Sequence, residues 1–159
     1  MRFLFLASFI IITLIASAQE EGDTLLNRCP VYITDTVSSN NFFLEFQPSV
    51  VKVYRVKGQL TVVVDQRDQF FSLFFNEKKL DDSRYKIVKG AHKKNDVGVK
   101  YSFRSGDQVS YVDVIKGTVE SSLDKEKNIW HLKVNGLMAN LVGRSVTYFK
   151  VRADLYIKG

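Results

Sequence analysis

Cysteine is almost missing from this chain. Cys29 is the only one in 159 residues, so no intrachain disulfide can form and burial of a core has to hold the fold. That excludes disulfide-stapled toxins, most secreted protease inhibitors and cysteine-rich lipid-recognition domains. One thiol leaves two roles open: pairing with another chain if exposed, or acting as a small apolar residue if buried. Histidine is scarce too, with His92 in a basic turn and His131 on the polar face of an expected strand. No spacing gathers the several ligand-type side chains that a metal site or an acid–base triad needs. There is no Asn-x-Ser/Thr acceptor, no glycine-rich phosphate loop and no nucleophile motif. Asp81 and Asp82 are adjacent, whereas a paired-carboxylate glycosidase needs two separated acids facing one cleft. The expectation is a protein without catalysis, metal or cofactor.

Long apolar runs are absent after the first eighteen residues. Those eighteen carry Arg2, an apolar stretch from Phe3 to Ile15, and the small-residue pattern Ala16-Ser17-Ala18. They read as a secretory signal peptide, too short for a comfortable membrane span, with the mature chain starting at Gln19. Removing them leaves 141 residues, enough for one domain, and takes formal charge from +6 to +5 because the segment holds one basic residue and no acid. The remaining Lys and Arg are interleaved with acids, which favours a solvated exterior over a nucleic-acid or membrane patch. The expected location is extracellular.

What the chain does have is β-forming sequence. Val51 to Phe75 holds three runs of Val, Leu, Tyr and Phe, broken at Lys57-Gly58 and at 65–68. Branched and aromatic residues suit a pleated, half-buried surface, and breaks this short suit hairpin turns. Val97, Val99, Tyr101 and Phe103 share one face against Gly98, Lys100, Ser102 and Arg104, and Trp130, Leu132 and Val134 oppose Ile129, His131 and Lys133. Strands are expected at 42–46, 50–56, 60–64, 70–75, 85–88, 97–104, 109–115, 129–134 and 145–151, with a short last one at 155–157. Residues 19–40 read as a polar lead-in with one short strand at 31–33, and 41–159 as a single domain. This spacing, with few prolines, points to an all-β, antiparallel β-sandwich, with a closed barrel second.

Val51-Lys-Val-Tyr54, Lys57-Gly58, a strand ending at Asp65 and Phe71-Ser-Leu-Phe-Phe75 resemble the amino-terminal module of insect β-1,3-glucan recognition proteins, also called Gram-negative-bacteria-binding proteins. Further on, Tyr101-Ser-Phe-Arg104 is similar to that module's Trp-Thr-Phe-Arg strand, and Gly106-Asp107 to its Gly-Asp hairpin. Asn128-Ile-Trp130 is similar to its closing Trp strand. The resemblance spans residues 50–134. Val64 replaces the family's Pro, Asn76 its His, and Tyr101 its Trp. The resemblance implies an immunoglobulin-like sandwich that binds the polysaccharide β-1,3-glucan in innate immunity, here as a stand-alone module.

Sugars present C–H faces to aromatic rings and hydroxyls to Asp, Asn and Arg side chains. Candidate ligand residues are therefore Tyr101 or Trp130 as platform, with Arg104, Asp81, Asp82 and Asp107 as hydroxyl partners. Tyr101 and Trp130 also alternate in phase with Val and Leu, so a core role competes with the platform role for both. Two other functions fit the composition: an extracellular β-barrel carrier of a small hydrophobic ligand, or a secreted interaction module pairing through sheet edges or Cys29.

Overall fold

The computed structural model describes residues 19–159 apart from 38, 39, 91, 92 and 143. The expected leader and His92 lie outside the described residues. Ten strands follow in chain order: β1 (Gln19–Leu26), β2 (Val31–Asp35), β3 (Ser49–Val56), β4 (Gln59–Gln66), β5 (Gln69–Phe75), β6 (Ser83–Ile87), β7 (Asp96–Ser105), β8 (Gln108–Asp124), β9 (Ile129–Val142) and β10 (Ser145–Lys158). Among the described residues no helix is long and apolar enough to cross a membrane.

Local turn chemistry sets the hairpins. Lys57 and Gly58 both take positive φ, 52° and 80°, between the paired residues Val56 and Gln59. Two-residue loops of that handedness match the twist of the flanking strands. Arg67, at φ 57°, and Gly106, at φ 59°, open equally short loops between β4 and β5 and between β7 and β8. At the β8–β9 turn the Asp124 carboxylate accepts the main-chain N–H groups of Glu126 and Lys127, both at 3.1 Å. Those bonds hold its pKa below the ordinary value.

The strands form one sheet in the order β1-β3-β4-β5-β7-β6-β8-β9-β10-β2, with β7 also pairing β8. The all-β expectation holds. Two separate antiparallel sheets do not form: hydrogen bonding joins all ten strands, and β6 runs parallel to β7. The lead-in expected at 19–40 instead supplies β1 and β2, which are the two ends of the sheet. Only residues 27–30 connect them, a reach of at most roughly 17 Å. The sheet therefore curls until its ends nearly meet, as an incompletely closed barrel.

Alternate residues point inward along most of the strands. Val62, Val64, Phe71, Leu73, Tyr85, Val97, Val119, Leu132, Met138, Val151 and Leu155 are all essentially inaccessible, so side chains fill the interior. The segment expected as a strand at 42–46 is instead a plug. Phe42 packs on Tyr101 and Phe149, with ring centroids 5.4 and 4.8 Å away, and Gln66 ties the plug down. The buried Gln66 amide accepts the Leu44 N–H at 2.8 Å and donates to the carbonyls of Leu44 and Gln47 at 2.8 and 3.2 Å. Cys29 is buried at 1% exposure, which places it in the core and away from partners.

Candidate functional site

The curl leaves a seam. β2 pairs β10 only from Val31–Ala153 to Asp35–Phe149, so β10 beyond Asp154 has no strand on that side among the described residues. β1, at the other end, pairs only β3. Between them opens a pocket of about 620 Å³ lined by residues of β1, β3, β4, β9 and β10 and by Lys79 and Leu80. That volume lies within the range of small-molecule sites.

Inner-face side chains build the walls. Trp130 and Ile157 are cross-strand partners on one side, and Arg55 and Leu60 are partners on the other, with Val53 beside them. Leu80 closes the floor at 7% exposure. Its segment is anchored at several points: Leu60 donates its N–H to the Glu77 carbonyl at 3.1 Å, and Asp81 donates its N–H to the Tyr85 hydroxyl at 2.9 Å. Ser121 donates its hydroxyl to the Asp81 carbonyl. Gly159 is pinned to the β8–β9 turn by its N–H to the Asn128 carbonyl at 2.9 Å. Five apolar side chains thus face a space whose rim carries Arg55, Lys79, Lys158 and one acid, Asp23.

The six residues singled out from sequence do not converge. Trp130 alone lines this pocket. Tyr101 is a core residue at 7% exposure, its ring 5.8 Å from Phe43 and 5.9 Å from Phe103, and its hydroxyl donates to Gln69 at 2.9 Å. Burial pushes that hydroxyl above its ordinary pKa. Arg104 and Asp107 are exposed at the β7–β8 hairpin, at the opposite end of the seventeen-residue β8 from the turn beside Trp130. Asp81 and Asp82 lie at the Trp130 end but outside the pocket lining, with Asp81 paired to Lys94 at 3.5 Å. The residues that sequence reasoning missed are Arg55, Lys79, Leu80 and Lys158. Arg55 had a readable signal, since it falls in phase with Val51 and Val53 and so puts a charge on an inward face.

A second depression, about 510 Å³, crosses the outer face of β2 and β10 between Tyr32, Thr34, Lys150, Arg152 and Asp154. Beside it His131 lies flat on Tyr156, ring centroids 4.6 Å apart, and meets Asp154 at 3.0 Å. Among the described residues no group of three His, Cys, Asp or Glu side chains is placed to hold a metal ion. The fold and site define a curled all-β chain with a seam pocket. No family model matches the chain, and no curated protein or solved structure matches it.

Proposed function

We propose that this chain is an extracellular, non-catalytic binding protein that holds a small, largely hydrophobic ligand in the seam pocket. The observation that carries the reading is the pocket itself: about 620 Å³, faced by Val53, Leu60, Leu80, Trp130 and Ile157 where the rest of the barrel is solidly packed. Among the described residues its lining holds no histidine, cysteine or serine side chain and one acidic side chain, which supports binding over catalysis. The extracellular placement comes from the secretory leader pattern in residues 1–18. Native mass spectrometry of the protein purified from its own source is the test. A retained small molecule, lost when Leu60→Arg fills the pocket, is expected. Bare protein under every gentle condition, with no probe taken up, would sink the reading.

Recognition of β-1,3-glucan is the second reading, and Trp130 favours it, because an indole face beside Arg55, Asp23 and Thr24 suits a sugar ring as well. In that case the curled sheet is to be viewed as an immunoglobulin-like pair of halves packed face to face. Sedimentation with insoluble curdlan, using cellulose and chitin as controls, separates the readings: protein that stays in the supernatant leaves only the small-ligand reading.

A further inference from the structure

We infer that the ligand of the seam pocket is an anionic amphiphile, an apolar body carrying one negative head group. The inference rests on the reading of the pocket as a ligand site and adds the polarity of its contents.

The pocket is asymmetric in chemistry. Its depth is apolar: Leu60 and Ile157 are 3% and 4% exposed, Leu80 closes the floor, and Trp130 and Val53 pack against the same core. Its mouth is cationic. Lys79 directly precedes Leu80 in the same loop, Lys158 follows Ile157, and Arg55 stands opposite Leu60. Among the described residues neither Lys79 nor Lys158 forms an ion pair, so their charges are not neutralised by a neighbouring carboxylate side chain.

One acidic side chain, Asp23, stands against three cationic ones in the lining. Asp23 sits across from Lys52 in the β1–β3 register, and the Lys52 ammonium is held above its ordinary pKa chiefly by Asp65, 3.3 Å away, with a small contribution from Asp23. A tail entering between Trp130 and Leu60 would leave water, while a head group at the mouth would stay within reach of two lysines bordered by apolar wall. Both lysines are exposed, so the mouth discriminates by sign through a modest, salt-dependent attraction. A neutral amphiphile would gain the tail contacts alone. A cationic one would meet repulsion.

Trp130 is the only tryptophan in the chain, so its emission reports on this pocket directly. The experiment titrates the protein with decanoate, decanol and decyltrimethylammonium while following that emission. Decanoate is expected to give a saturable shift at about tenfold lower concentration than decanol, with the cation weakest. Replacing Lys79→Gln together with Lys158→Gln, both on exposed side chains, should weaken decanoate about tenfold and leave decanol unchanged. Asp23→Asn should tighten decanoate slightly. If decanol or the cation shifts Trp130 as tightly as decanoate, the anionic assignment is overturned and the pocket stands. If none of the three gives a saturable shift, the pocket is not a ligand site and both readings fall together.

Discussion

The curl depends on a pair of facing glycines, and replacing one of them is the sharpest test of the architecture. Gly117 on β8 pairs with Gly136 on β9, next to the bulge between Val114 and Lys116, where β8 leaves β7 to follow β6. Gly117 has φ +145°, and a Cβ there would lie 2.1 Å from the Asn135 carbonyl oxygen and 2.6 Å from the Gly136 Cα. Both neighbours are backbone and cannot swing aside. Gly117→Ala therefore combines a backbone conformation that L-residues disfavour, about 1–3 kcal/mol, with overpacking of about 1–3 kcal/mol. The expected loss is about 3–5 kcal/mol, a large part of the 5–15 kcal/mol typical of a domain. For a chain of this length that is a fall in Tm on the order of 10–15 °C.

Gly136→Ala is the comparison. Its added Cβ would meet the Val114 Cγ1 at 2.7 Å, a side-chain atom that can be removed. Val114→Ala should offset part of the Gly136→Ala loss, by about 1 kcal/mol in a double-mutant cycle, and none of the Gly117→Ala loss. Gly22→Ala supplies the control for backbone strain alone, because its φ of +141° matches that of Gly117 and nothing lies within 4 Å of its Cβ position. Thermal and urea unfolding followed by circular dichroism give the numbers. If Gly117→Ala costs no more than Gly22→Ala, the close approach of β8 and β9 is not what shapes the sheet.

Other outcomes follow from single residues. Gln66→Ala removes three hydrogen bonds from a buried amide to the plug, so unfolding should become easier by about 2–4 kcal/mol. Tyr101→Phe should cost about 1 kcal/mol through the lost Gln69 bond and leave ligand or glucan binding intact, since Tyr101 is packed in the core. Burial pushes the Cys29 thiol above its ordinary 9.0 and the Tyr101 hydroxyl above its ordinary 10.0. The unfolded chain then loses these protons first, so stability is unaffected by them below about pH 9 and falls as pH rises beyond it. Urea midpoints measured from pH 8 to 11 check the slope, and Cys29 should react with thiol reagents only in denaturant.

Local structure was legible wherever one residue's pattern decides it. The alternation of Val97, Val99 and Tyr101, and that of Trp130, Leu132 and Val134, gives the inward faces correctly, and Lys57-Gly58 is the turn it looked to be. Phe42 and Phe43 misled, because a loop that plugs a barrel end needs the same apolar residues as a strand. Polar Gln19–Leu26 looked like a lead-in because an edge strand whose residues 22–26 are not buried carries no periodic signal. Curvature was hidden too. It depends on which distant strands pair, and residues such as Val31 and Ala153 meet only through tertiary contact. The candidate site inherits that limit: Trp130, Leu60 and Leu80 are brought together by the curl, and nothing local to any of them announces the others.

The order of strands also constrains when the molecule can come into being. β2 is the second of the ten described strands, yet its hydrogen-bonding partner is β10, the tenth. During synthesis Val31 and Ile33 must wait, apolar and unpaired, until β10 has emerged. Such long-range closure is slow, and a waiting edge invites pairing with other chains. We predict that chains ending before Phe149 show no protected amides in β2 by hydrogen exchange; protection there would refute this timing. Closure of the sheet is then a late event that waits on the tenth strand, and a tether or mutation that delays β10 should delay the ordering of β2 with it.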